Sequence, residues 1–171
     1  MSLTDQLSHV EVLCVGDVML DRFVTGAVKR ISPESPVPVL SVSQNAAVPG
    51  GAGNVARNIA ALGGRCTLIG VVGDDGIADE LKLSLQAVAQ VRAELVRVPG
   101  RSTTEKVRFV AQGQHMLRAD IESGQPIDRP TEQQVLERIQ ALLPGHDVLV
   151  LSDYAKGLLT DKVLAGAIEA A

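Results

Sequence analysis

The run PGGAGNVARNIAALG, residues 49–63, followed by TLIGVVGDD, residues 67–75, decides the fold. Val55, Ile59 and Leu62 recur at helical spacing from Asn54 to Leu62, and Gly63-Gly64 stops the pattern. A short apolar run, Cys66 to Val72, then reads as a strand ending in two aspartates. Upstream, VEVLCV at Val10 to Val15 is a β-rich run closed by Gly16 and Asp17, which predicts a first buried strand ending in a polar loop. Downstream, Ile77, Leu81, Leu85 and Val88 predict a helix over Asp75 to Val88, and Arg92 to Val98 alternates as a strand. The rhythm is βαβαβ, the mark of an α/β domain with a mostly parallel sheet flanked by helices.

Two stretches do not fit that rhythm. Phe23 to Ile31 and Val37 to Val42 alternate around SPESP, whose prolines forbid a helix, and predict an inserted hairpin or flap. Thr103 to Ala111 and His115 to Ala119 read as two more strands, with a turn at Gln112 to Gln114, that extend the flap or line its base. The small β-lid is therefore expected over about 23–43 and 103–119 of a single unit spanning 1–171. Thr131 and Glu132 open an amphipathic helix ended by Pro144-Gly145. Val148 to Leu151 is apolar enough for the middle of a parallel sheet, and a last helical run covers Asp161 to Ala171. A terminal βα unit of this kind expects further neighbours, so the sequence reads as truncated.

Composition narrows the function classes. With 171 residues, 46% of them apolar, the chain can bury a real core. The net charge of -4 is spread without a basic patch, and Phe23, Phe109 and Tyr154 are the only aromatics, which disfavours nucleic-acid or membrane-surface partners. Cys14 and Cys66 lie in separate apolar strands, suiting small buried hydrophobes in a reducing cytoplasm. MSLTDQLSHVEVL lacks the features of a secretory signal, and no run reaches the roughly 20 apolar residues of a bilayer span. His9, His115 and His146 make no metal-ligand spacing, so no metal site is expected in this chain.

The glycine cluster carries two readings. Gly51-Ala-Gly53-Asn-Val-Ala56, with Asp74 and Asp75 downstream, loosely fits a dinucleotide fingerprint, but the fingerprint should leave the first strand directly and here a flap intervenes. Alternatively, Gly50 and Gly51 let backbone approach a polar ligand while the Asn54 amide binds hydroxyls; Asn54 as an ordinary helix cap is the plainer version. Asp17 and Asp21 stand at the C-terminal mouth of the first strand, where open α/β sheets bind ligands and where paired carboxylates can accept hydrogen bonds from the hydroxyls of a polyol. A solvated Asp21–Arg22 pair, with Asp17 capping a turn, is the competing account.

The order of GDVMLD (16–21), PGGAGNVARNIAALG, TLIGVVGDD and Thr103-x-x-Lys106-x-Arg108 resembles the N-terminal half of a ribokinase-like carbohydrate kinase. DVMLDRF, RISPESPVPV, HMLRAD and LSDYAKG are most similar to the branch of that family acting on D-glycero-β-D-manno-heptose 7-phosphate. The resemblance runs from about Val12 to Ala171. It implies transfer of the ATP γ-phosphoryl group to O1 of the heptose, toward ADP-heptose and lipopolysaccharide core, with ATP and Mg2+ serving the complete enzyme. It also implies a sugar pocket of Asp17, Asp21, Gly50, Gly51 and Asn54, a lid that builds a homodimer, and contacts from Asp153 and Lys156. A 7-phosphate needs cations, for which Lys106, Arg108 and Arg118 are candidates, although Arg118 beside Asp120 also reads as an exposed ion pair. The family's GAGD and NxxE segments do not occur, so the general base is expected beyond Ala171, no catalytic residue is assigned here, and this sugar half is expected to be inactive alone and to bind ATP at most weakly. Another ribokinase-like sugar or nucleoside kinase, or a non-catalytic sugar-binding or dimerisation module, remain alternatives.

Overall fold

The computed structural model describes residues 8–171; the first seven residues, part of the stretch read for a targeting signal, lie outside the described residues. In chain order the elements are β1 (Glu11–Gly16), β2 (Val18–Ile31), β3 (Pro38–Gly51), α1 (Ala52–Ala61), β4 (Arg65–Gly73), α2 (Gly76–Gln86), β5 (Val91–Val98), β6 (Glu105–Ala111), β7 (Gln114–Ile121), α3 (Arg129–Leu142), β8 (Val148–Ser152) and α4 (Asp161–Ala170). They form two four-stranded sheets. One is parallel, in the order β5-β4-β1-β8; the other, in the order β3-β2-β6-β7, is the lid.

Alternation along the parallel strands builds a core on each face of the first sheet. Cys14, Leu68 and Val72 turn toward Ala52, Ala56, Leu81 and Leu85 of α1 and α2. Leu13, Val15, Ile69 and Val71 turn toward Val135, Ile139, Val163 and Ala167 of α3 and α4. The result is the expected α/β arrangement with helices on both sides of a parallel sheet. On α1 the buried stripe is Ala52, Gly53, Ala56 and Ala60, so small residues let the helix lie close to the sheet, and Leu62 points outward. Cys14 and Cys66 are free thiols in the first core; the Cys14 thiol is pushed far up by its hydrogen bond with Cys66 and by burial. No helix among the described residues is long and apolar enough to cross a membrane.

Three elements differ from the sequence reading. Gly16-Asp17 does not end in a loop: Asp17 alone separates β1 from β2, so the lid strands run over 18–31 and 38–51, longer than the 23–43 segment expected, and its second part over 105–121. Val18, Met19 and Leu20 are buried as the root of the lid, which is why apolar residues continue past the glycine. β8 lies at the edge of the parallel sheet, paired with β1 on one side, rather than in its middle. The cap of α3 is Asp128, whose carboxylate accepts the Thr131 amide, rather than Thr131. The turn between β6 and β7 holds Gln112 and Gly113, both at positive φ, the two-residue type I′ form whose twist suits a hairpin.

Candidate functional site

The first site element is the single residue between the sheets. Asp17 is 3% exposed, and its carboxylate accepts the backbone amides of Tyr154 (2.9 Å), Lys156 (3.0 Å) and Leu158 (3.2 Å). Its own amide donates to the Ser152 carbonyl, and its carbonyl accepts from Ala52 at the start of α1. Asp17 was expected to hold sugar hydroxyls, yet its lone pairs serve the loop that follows β8. It is a loop-organising residue here, because a buried carboxylate is stable only when its oxygens are satisfied.

The glycine run closes on the same place. In the β2–β3 ladder, Gly51 lies opposite Val18 and Gly50 opposite Met19. Gly51 caps α1 at a φ of +56°, and a Cβ there would stand 2.4 Å from the Asp17 carbonyl oxygen. A Cβ on Gly50 would stand 2.1 Å from Asp21 Oδ2, so only glycine leaves room for that carboxylate. Asn54 is not the helix cap; it sits exposed in the first turn of α1, which has no side-chain cap. The glycines follow an antiparallel lid strand, and Asp74 and Asp75 are engaged elsewhere, with Arg97 and as the cap of α2. The dinucleotide reading therefore fails on topology. Burial raises the Asp75 carboxyl, but amides of Thr103 and Ala78 and the Thr103 hydroxyl outweigh it and hold the group below its ordinary value.

One face of the lid gathers charge. Strand alternation puts Asp21, Lys106 and Asp120 in register across β2, β6 and β7, with Phe23, Arg108 and Arg118 in register beside them. Arg108 meets Asp21 at 2.5 Å and lies over the Phe23 ring, 5.3 Å from its centroid. Lys106 bonds Asp120 at 2.8 Å and reaches Glu122 at 3.4 Å; Arg118 also pairs with Asp120 at 2.8 Å, and Lys156 bonds Glu122 at 2.8 Å. The cluster holds four cations against three carboxylates, a locally positive face on a negative chain. Hydrogen bonds from Lys106 depress the Asp120 carboxyl, and those from Lys156 depress Glu122.

Asp21, Gly50, Lys106, Arg108, Arg118 and Lys156 are thus brought to one face, whereas Asp17 turns inward and Asp153 is exposed with its carboxylate on the Ala155 amide. Arg22 does not pair with Asp21. It points to the opposite lid face and pairs with Glu105 and Glu80, each at 2.5 Å, which anchors the lid to α2. Sequence reasoning missed Glu122, the role of Asp120 and Arg101. The Arg101 guanidinium donates to the carbonyls of Gln125 (2.9 Å), Ser123 (3.1 Å) and Lys156, tying the loops beside the site. Burial pulls its pKa down, against the field of Asp17. The alternation of Arg118, Asp120 and Glu122 was the available signal for the acids; nothing local marks Arg101.

The Asp21 and Arg108 side chains at the centre of this face are 21% and 22% exposed. A hollow of about 680 Å³ lies elsewhere, beside β8 among Leu136, Leu143, Val148 and Gly166. Among the described residues no three His, Cys, Asp or Glu side chains gather as a metal-holding group.

Residues 10–171 match the family described as pfkB family carbohydrate kinase. The chain is 49% identical over 170 residues to the bifunctional protein HldE of Bradyrhizobium sp. (strain ORS 278), covering 98% of this chain and 35% of that protein. It is 50% identical over 176 residues to the bifunctional protein HldE of Caulobacter vibrioides, covering 99% and 36%. The chain therefore spans about a third of the length of these relatives. Among solved structures it superposes on Escherichia coli phosphofructokinase-2 in complex with fructose-6-phosphate (TM-score 0.68, 21% identity, 94% of this chain and 52% of that one). It also superposes on a possible 1-phosphofructokinase from Thermotoga maritima (TM-score 0.72, 20% identity, 94% and 51%). At these identities the structural likeness is one of fold.

Proposed function

This chain belongs to the pfkB family of carbohydrate kinases, and from that premise we propose that it is the sugar-binding part of a kinase acting on D-glycero-β-D-manno-heptose 7-phosphate. The observation that carries the reading is the lid face on which Asp21, seated over Gly50, adjoins Lys106, Arg108 and Arg118. A carboxylate accepts hydrogen bonds from sugar hydroxyls, and clustered cations suit a phosphate that the substrate already carries. The identity to bifunctional HldE proteins and the resemblance of GDVMLD, HMLRAD and LSDYAKG to heptose 7-phosphate kinases favour heptose over another sugar or a nucleoside.

In this reading the γ-phosphoryl of ATP goes to O1 in a polypeptide of the relatives' length, and this chain alone binds sugar without turnover. Carbohydrate kinases use ATP with Mg2+, which neutralises the transferring phosphoryl group. The chain's own part in this reading is to hold and orient the sugar. Asp21 and Asn54 take hydroxyls, Lys106, Arg108 and Arg118 take the 7-phosphate, and Asp17 acts by fixing the loop that carries Asp153 and Lys156. The other lid face holds a groove of about 480 Å³ lined by Val28, Val37, Leu40, Phe109, Met116 and Leu117. Leu117 is 61% exposed, and such an apolar patch suits a second copy of the chain, giving a lid-mediated homodimer in the cytoplasm.

Calorimetric titration of this chain with heptose 7-phosphate, fructose 6-phosphate, adenosine and NAD tests the assignment. Heptose 7-phosphate should bind most tightly; preference for adenosine or NAD, or no response to any sugar phosphate, would overturn it.

A further inference from the structure

The ion pairs on the lid face are not equivalent. Asp120 serves both Lys106 and Arg118, and Glu122 serves both Lys106 and Lys156, so each of those acids is shared. Asp21 and Arg108 are paired one to one, at 2.5 Å, with side chains only 21% and 22% exposed. Arg108 has no second carboxylate within reach among the described residues, and its register partner across β6–β7 is another cation, Arg118. Asp21 is confined from below by Gly50, and Arg108 is held over Phe23, so both groups are fixed where they meet.

Arg108 Nη1 donates to Asp21 Oδ1, so a hydroxyl that takes that oxygen competes with Arg108. A neutral sugar that takes the Asp21 carboxylate leaves a partly buried guanidinium beside a second arginine with no anion to replace the one lost. A sugar bearing a phosphate supplies that anion: a dianion beside Arg108 replaces Asp21 as its counter-charge and frees Asp21 for the hydroxyls. From this geometry we infer that the Asp21–Arg108 pair is a specificity gate, making hydroxyl recognition conditional on a phosphate elsewhere on the same sugar. Arg108 is then a specificity-determining residue that acts against unphosphorylated sugars as well as for phosphorylated ones. The inference rests on the sugar-binding reading above and adds to it the coupling of the two subsites.

The test is calorimetric titration of the parent chain and of Arg108→Gln with heptose 7-phosphate and with the unphosphorylated heptose. Arg108→Gln should weaken heptose 7-phosphate about tenfold or more and tighten the unphosphorylated sugar about tenfold, so that the preference falls roughly a hundredfold. Weaker or unchanged binding of the unphosphorylated heptose by Arg108→Gln overturns the gate while leaving the sugar-binding reading intact, as does equal binding of both sugars by the parent. If the parent binds neither, the sugar-binding reading itself fails and the gate with it. Should Arg108→Gln not fold, Arg108→Met keeps an aliphatic stem over Phe23 and takes its place, with the same outcomes.

Discussion

Replacing Asp17 by asparagine should destabilise the chain by about 3 kcal/mol, because hydrogen bonds to a charged group contribute roughly 1.5–3 kcal/mol each and an amide cannot replace them all. If the asparagine oxygen takes the Oδ2 position, it keeps the amides of Tyr154 and Lys156 as weaker neutral bonds, and its NH2 then faces the Leu158 N–H, donor against donor. Arg101, whose charge Asp17 offsets, loses that compensation in a partly buried setting. For a domain of this size, such a loss lowers Tm by roughly 10 °C. Urea and thermal unfolding of the parent and Asp17→Asn measure it, and limited trypsin digestion at Lys156 reports whether the loop has come loose. The sequence alone led to a different expectation, that Asp17 serves a sugar pocket. A variant with parental stability and unchanged cleavage at Lys156 would refute the loop-organising role.

Two further outcomes are expected. Leu117→Asp should convert a dimer to a monomer in sedimentation equilibrium without lowering the secondary-structure content, since residue 117 is exposed within the apolar lid groove; a parent that is monomeric throughout, or a variant that still pairs, removes that interface. The carboxyls of Asp75, Asp120 and Glu122 are all held below their ordinary values of 3.8, 3.8 and 4.5, so their stabilisation is complete above those values and is lost as pH falls through the depressed ones. Urea midpoints should therefore show no loss from these groups between pH 7 and about 5.5 and a loss below about pH 4; a steep fall already between pH 7 and 5.5 would point to other groups.

The elements most legible in the sequence were those whose residues answer to one period. β4, β5 and α2 were readable because apolar spacing alone fixes them, whereas a common place for GDVMLD and the glycine run was implied only by the family resemblance. The lid was readable as an insertion but not in length, since Val18 to Leu20 look like a strand core whichever sheet they enter. Asp21 and Arg22 illustrate what proximity in sequence conceals: strand alternation sends them to opposite faces, so Asp21 meets a residue 87 positions away and Arg22 one 83 positions away. The carboxylates of Asp17 and Asp21 look alike in the sequence, and only the tertiary return of the loop after β8 separates a buried backbone acceptor from an accessible one.

Because a lone residue links β1 to β2, the lid has no slack at its base. Asp17 gives its carbonyl to the first amide of α1 and its carboxylate to the loop after β8, so it is the fulcrum on which three bodies bear. The lid root and the loop that carries Lys156 are thus pinned to one residue, so neither can be displaced at its base without loading bonds of the other.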